Sequence, residues 1–111
     1  MRQVRHPLVE RDVAGIFEHV LATTGGDLDA AERRLDEIDE LLQAIAGNPS
    51  SGVRLPSPLT GWLVRHGGHG QRLTVVFRPD FDRSLLFIAL IAFGGQNWIA
   101  AAEGRSDLLG Q

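Results

Sequence analysis

Nine consecutive apolar residues, Leu85 to Phe93 (LLFIALIAF), limit what this chain can fold into more than any other stretch. The run is about half the ~20 residues that a membrane helix needs. It is apolar at odd and even positions alike, so as a strand it has no face for water. It therefore predicts a strand placed centrally in a sheet and covered on at least one side by helices. The 111 residues of the chain suit a single domain, 1–111, in which roughly 60 to 70% of the unfolded surface is buried. The tail 104–111 is expected to be poorly ordered.

The covering helices are legible upstream. Pro7 suits a first helical turn, and Leu8, Val9, Val13, Ile16, Phe17, Val20 and Leu21 recur at spacings of three and four, giving one apolar face. Thr23-Thr24-Gly25-Gly26 stops that helix, and Asp27 offers an N-cap for a second one. Leu28, Ala31, Leu35, Ile38, Leu42 and Ile45 form its stripe, with Arg33, Glu37 and Glu40 expected to face water. Gly47-Asn48-Pro49 ends it. A short glycine loop between two such helices predicts an antiparallel hairpin.

Past Pro49 the helical period disappears. Val53-Arg54-Leu55 is a candidate short extended piece, and strands are predicted over 61–66, 72–78 and 84–93, with residues 2–6 as a first strand. The expected fold is α+β, a two-layer sandwich in β-α-α-β-β-β order, with IAAAEGR able to add a short C-terminal helix.

Composition removes several chemistries. With no cysteine there is no disulfide, thiolate nucleophile or cysteine-ligated zinc. The net charge of -3 argues against a general nucleic-acid binder, yet it is unevenly spread: seven acids oppose two arginines over 27–47, and six arginines oppose three acids over 48–105. Every basic residue is arginine, the side chain suited to bidentate contact with phosphate or carboxylate. MRQVRHPLVERD lacks the apolar segment of a secretory leader, so a cytoplasmic location is expected, with no membrane contact.

The stretch RHGGHGQR, Arg65 to Arg72, admits three readings: a metal site, a phosphate cradle or a turn. A metal would need further ligands, and a glycine-rich loop leaves His66 and His69 without fixed spacing. A phosphate cradle needs a helix after the glycines, and RLTVVFR is a strand. A hairpin turn, with glycines supplying positive φ, explains the backbone. No metal or other cofactor is expected.

Alternation along RLTVVFR places Leu73, Val75 and Phe77 on one side and Arg72, Thr74, Val76 and Arg78 on the other, with Arg65 positioned to join them. If the first set packs on the helices, an arginine-bearing face points away from them. Such a face can hold RNA or protein carboxylates, or be a solvated surface pairing with Asp80 and Asp82. Trp98 is a candidate contact aromatic or an anchor for the C-terminal segment.

One ordered set of features extends over residues 2 to about 98. Asp12, Ile16 and Val20 lie on the first helix, Ala30-Ala31 open the second, and Ile45, Pro49, Gly52 and Arg54 follow at the spacing of an L-x-x-x-P-x-x-G-x-R helix end, with Ile45 in the place of its Leu; the strands LTVVFRPD and LLFIALIAFGG complete the set. This set resembles the RelE/ParE toxins of bacterial type II toxin-antitoxin modules. The resemblance implies a RelE/ParE-like sandwich and a growth-inhibiting toxin masked in a hetero-oligomer by a cognate antitoxin. RelE-like members cut mRNA on the ribosome with basic residues and often a Tyr or His near the last strand; ParE-like members poison DNA gyrase and are not nucleases. Here tyrosine is absent, and Phe93 stands where that His often does. The resemblance therefore implies a ParE-like toxin, with a ParD-like antitoxin and DNA gyrase as partners, acting by interaction rather than as an enzyme. Arg54, Arg65, Arg72, Arg78 and Trp98 are its candidate contacts to target or antitoxin. The alternative is a RelE-like endoribonuclease, in which Arg65, His66, Arg72 and Arg78 supply phosphate contacts and acid-base chemistry.

Overall fold

The computed structural model describes residues 1–106. The chain runs β1 (Arg2–Arg5), α1 (Val9–Thr23), α2 (Leu28–Gly47), β2 (Val53–Arg54), β3 (Leu63–Gly67), β4 (Leu73–Asp80), β5 (Leu85–Phe93) and α3 (Trp98–Ser106). Val53–Arg54 thus adds a fifth strand to the expected order, and the short C-terminal helix is present as α3. Of the tail 104–111, residues 104–106 belong to α3 and the remainder lies outside the described residues.

The helix ends follow from local hydrogen bonding. Helix α1 begins at Val9 rather than Pro7, because the His6 carbonyl accepts from the Val9 amide at 2.9 Å and His6 Nδ1 accepts from the Leu8 amide at 3.1 Å. Gly25 (φ 69°) and Gly26 (φ 93°) take the left-handed conformations that reverse the chain. Asp27 caps α2 by accepting from the Ala30 amide at 3.0 Å.

The strands form one sheet in the order β1-β5-β4-β3-β2. β1 pairs with β5 in parallel, and the other pairs are antiparallel. β5 therefore lies inside the sheet, as its double-sided apolarity requires. Its pairing with β1 stops at Arg5 opposite Ile88, so the rest of that edge needs other partners.

Both faces of the sheet are buried, and a bulge sorts the side chains between them. The register of β4 and β5 shifts between Val76 and Phe77, leaving Ala89 as the extra residue. Leu86, Ile88 and Ile91 consequently join Leu73, Val75 and Phe77 under the helical hairpin, packed on Val9, Ile16, Ile38, Leu42 and Ile45. Phe87, Ala89, Leu90 and Ala92 join Val64 and Val76 on the opposite face. That second face is closed by Ala102 of α3 and by Leu59 and Trp62 of the β2–β3 connection, with Trp98 at its margin. Each fully buried Ile, Leu or Phe contributes roughly 1.5–3 kcal/mol, so both faces are held by substantial apolar burial.

Candidate functional site

RHGGHGQR is a structured turn. Gly68 (φ 73°) and Gly70 (φ 69°) carry positive φ, as the turn reading requires, and a short 3-10 segment spans His69–Gln71. Gln71 is also left-handed (φ 59°). The turn is tied to α2 by Glu37, which was expected to face water. Its Oε1 accepts from the His69 amide at 3.0 Å, and its two oxygens accept from Arg34 Nη1 at 2.9 and 2.6 Å. No amphipathic period reports this contact, because it depends on where a later loop returns. Among the described residues, no three His, Asp or Glu side chains gather where a metal ion could be held.

The expected arginine-bearing face does not form. Thr74 is 4% exposed and Val76 fully buried, because α3 and the Leu59–Trp62 segment cover them. Arg72 precedes β4 in a helical conformation (φ −82°, ψ −19°), so the strand's alternation does not apply to it. Its guanidinium lies 5.8 Å from the ring centroid of Phe93. Arg65 pairs across from Val75, hence on the hairpin side, and donates from Nη1 to Ser51 Oγ at 2.7 Å. Of the three, Arg78 keeps the predicted face, with its guanidinium 5.4 Å from the Trp62 ring centroid and 5.2 Å from that of Phe87. Asp80 pairs with Arg83 at 2.7 Å, and those hydrogen bonds hold its carboxyl below the usual range.

The remaining sequence-predicted residues divide between two places. Arg54 is exposed on β2, beside a groove of about 470 Å³ that it lines with Leu55, Leu63 and the exposed Phe81. His66 and Trp98 meet on the α3 side of the sheet. His66 Nδ1 shares a hydrogen bond with Thr74 Oγ1 at 2.9 Å, and the two rings stand edge to face with centroids 6.4 Å apart. An exposed imidazole is thereby fixed in orientation on a rigid strand.

Sequence reasoning missed a buried polar cluster that closes the free edge of β5. Asp12 of α1 and Arg105 of α3 form a two-pronged pair, Nη1 to Oδ2 at 2.6 Å and Nη2 to Oδ1 at 2.8 Å. Asp12 Oδ2 also accepts from the Ile91 amide at 3.1 Å, and Arg105 Nη1 donates to the Ala89 carbonyl at 3.1 Å. These are backbone groups beyond the reach of β1. His6 lies buried nearby with Nε2 unpartnered, and burial, followed by the charge of Arg105, pushes its imidazole below the usual range; Asp12 opposes this.

No family model matches the chain, and no curated protein matches it by sequence. Its structure is similar to a chain in the crystal structure of the toxin-antitoxin complex RelBE2 from Mycobacterium tuberculosis, with a TM-score of 0.57 and 14% identity over 83% of this chain and 95% of that one. The fold is RelE/ParE-like. In this RelE/ParE-like sandwich, Phe93 ends the last strand beside a cleft of about 310 Å³ at the loop end of the hairpin, between α1, α2 and the RHGGHGQR turn. His19, Arg34, His69 and Arg72 reach its walls, with Val20 and Phe93 among the apolar residues that line it. His19 and Phe93 stand edge to face, centroids 6.0 Å apart.

Proposed function

We propose that the chain is the toxin of a type II toxin-antitoxin pair: a single cytoplasmic domain, neutralised in a hetero-oligomer by a cognate ParD-like antitoxin, that inhibits growth by poisoning DNA gyrase. The observation that carries the toxin assignment is the fold, shared across most of both chains with a member of a toxin-antitoxin complex. The ParE-like choice is supported by the dispersal of the arginines. Arg65, Arg72 and Arg78 point into three different surroundings and do not converge on one phosphate-sized position. A general acid-base step needs its groups within hydrogen-bond reach of one reacting centre. Under this proposal Arg54, Arg65, Arg72, Arg78 and Trp98 are contact residues spread over several surfaces, and no cofactor is required.

A RelE-like endoribonuclease is the second reading, favoured by the imidazole of His66, which Thr74 orients on an exposed part of the sheet. The two are separated by giving the purified chain to gyrase with relaxed plasmid and, in parallel, to translating ribosomes. Loss of supercoiling with intact mRNA is the expected result. Cleavage of mRNA without effect on gyrase overturns the gyrase assignment. Normal growth on induced expression without an antitoxin overturns the toxin assignment itself.

A further inference from the structure

We infer that His6 is an acid-sensitive latch for the C-terminal helix: a proton on its imidazole draws Asp12 away from Arg105 and releases α3 from the sheet. The latch is independent of the toxin assignment. His6 lies in the turn between β1 and α1, 4% exposed, with its amide donating to the Ile88 carbonyl of β5 at 2.9 Å. Its Nδ1 accepts from the Leu8 amide at 3.1 Å, which fixes the neutral imidazole with its hydrogen on Nε2. That Nε2 is buried and has no hydrogen-bond partner among the described residues.

A second proton has no acceptor in this arrangement. It goes to Nδ1, which then faces the Leu8 amide donor to donor, while the charge sits in a buried position. Two charged groups bear on the ring from neighbouring elements: Arg105 of α3, which repels an imidazolium, and Asp12 of α1, which attracts it. β5 is apolar throughout and adds no charge, and Arg5, next to His6, is exposed and donates to Gln3. In the closed molecule burial and Arg105 outweigh Asp12 and hold the imidazole below its usual range. The imidazolium is relieved by taking the Asp12 carboxylate, which is fully engaged: it holds Arg105 at 2.6 and 2.8 Å and accepts from the Ile91 amide at 3.1 Å. A bond from Asp12 to the imidazolium is therefore taken from Arg105, the residue through which α3 reaches α1 and the Ala89 carbonyl. What then holds this nine-residue helix is the packing of Ala102, with Ala101 and Trp98 beside it, a small apolar surface. The helix is held in full above about 6.5, the value of an exposed imidazole, and is let go as pH falls from there toward the lowered value. Its departure uncovers Leu90 and Ala92.

The test is hydrogen exchange on the full chain, corrected for the intrinsic pH dependence of amide exchange and read separately over α3 and α2. Between about pH 7.5 and about pH 5, protection of α3 should fall by about threefold or more and stay at least about tenfold below that of α2. His6→Asn, whose side-chain oxygen can accept from the Leu8 amide in place of Nδ1 without titrating, should remove the fall. His66 also touches α3, through the Trp98 ring, and His66→Asn should keep the fall. Arg105→Gln should lower α3 protection at both pH values. The His6 imidazole resonance of the unaltered protein should titrate with the midpoint at which α3 loses protection, a comparison that stands even where His6→Asn does not fold. Constant α3 protection over the interval overturns the latch, as does unchanged protection in Arg105→Gln. A fall that persists in His6→Asn, vanishes in His66→Asn, or has a midpoint apart from that of His6 overturns the assignment to His6. Protection of α3 equal to that of α2 at the lower pH means that the helix leaves only with global unfolding, and overturns its local release.

Discussion

Asp12 and Arg105 stand 93 positions apart and are joined through both carboxylate oxygens and both terminal guanidinium nitrogens. They are 13% and 14% exposed, so little water screens the pair. Replacing Asp12 with Asn should cost about 2–4 kcal/mol in urea unfolding, because Arg105 loses its counter-charge and one of the two acceptor oxygens becomes an NH2 group facing other donors; a double-mutant cycle with Arg105→Gln should show strong coupling. His6 adds a pH dependence. Its folded pKa is lowered, so protonation favours the unfolded chain. The stability it contributes is complete above about 6.5, the unfolded value, and is lost as pH falls through that value toward the folded one. Urea midpoints should decline over this interval, and His6→Leu should flatten the decline. Asp12 stands out in the sequence as an acid of the first helix, but nothing there marks Arg105 or His6 as its neighbours, since a single acid on α1 carries no sign of a partner on α3. Arg72 was misplaced for a different reason: alternation holds only inside a strand, and with Gln71 left-handed and Arg72 helical the strand starts one residue late, at Leu73.

Element boundaries were largely legible where punctuation was strong. Gly25-Gly26 with Asp27, and Gly47-Asn48-Pro49, mark helix ends that the structure reproduces. Asp27→Ala should destabilise the protein by about 1 kcal/mol in thermal unfolding, having removed the acceptor for the Ala30 amide. β2 is only two residues long, too short for a period to register, and its position depends on Gly52. A Cβ there would lie 2.8 Å from the Phe77 ring and 3.0 Å from the Val64 carbonyl oxygen. Backbone cannot yield as a flexible side chain does, so Gly52→Ala should cost about 1–3 kcal/mol and loosen β2 in hydrogen exchange. The double-sided apolarity of β5 correctly implied cover on the hairpin side. Cover on the other side came from α3, whose small residues Ala101 and Ala102 give a weak helical signal.

At the scale of the whole molecule, α3 completes a second core that the hairpin cannot reach. Ending the chain at Asn97 would uncover Leu90, Ala92 and their neighbours and remove Arg105 from the β5 edge. Such a chain should self-associate, with an increased apparent mass in gel filtration and increased binding of a hydrophobic dye. The RelE/ParE-like arrangement also constrains the order of assembly. Arg2 pairs in parallel with Leu85, although β1 is made well before β5. The hairpin of α1 and α2 relies on neighbouring residues and can gather as soon as it is synthesised, whereas β1 must wait, unpaired, until β5 is made. A nascent chain halted before Leu85 therefore holds a formed hairpin with an exposed apolar underside and an N-terminal strand without a neighbour, and is open to capture by a chaperone or by another chain.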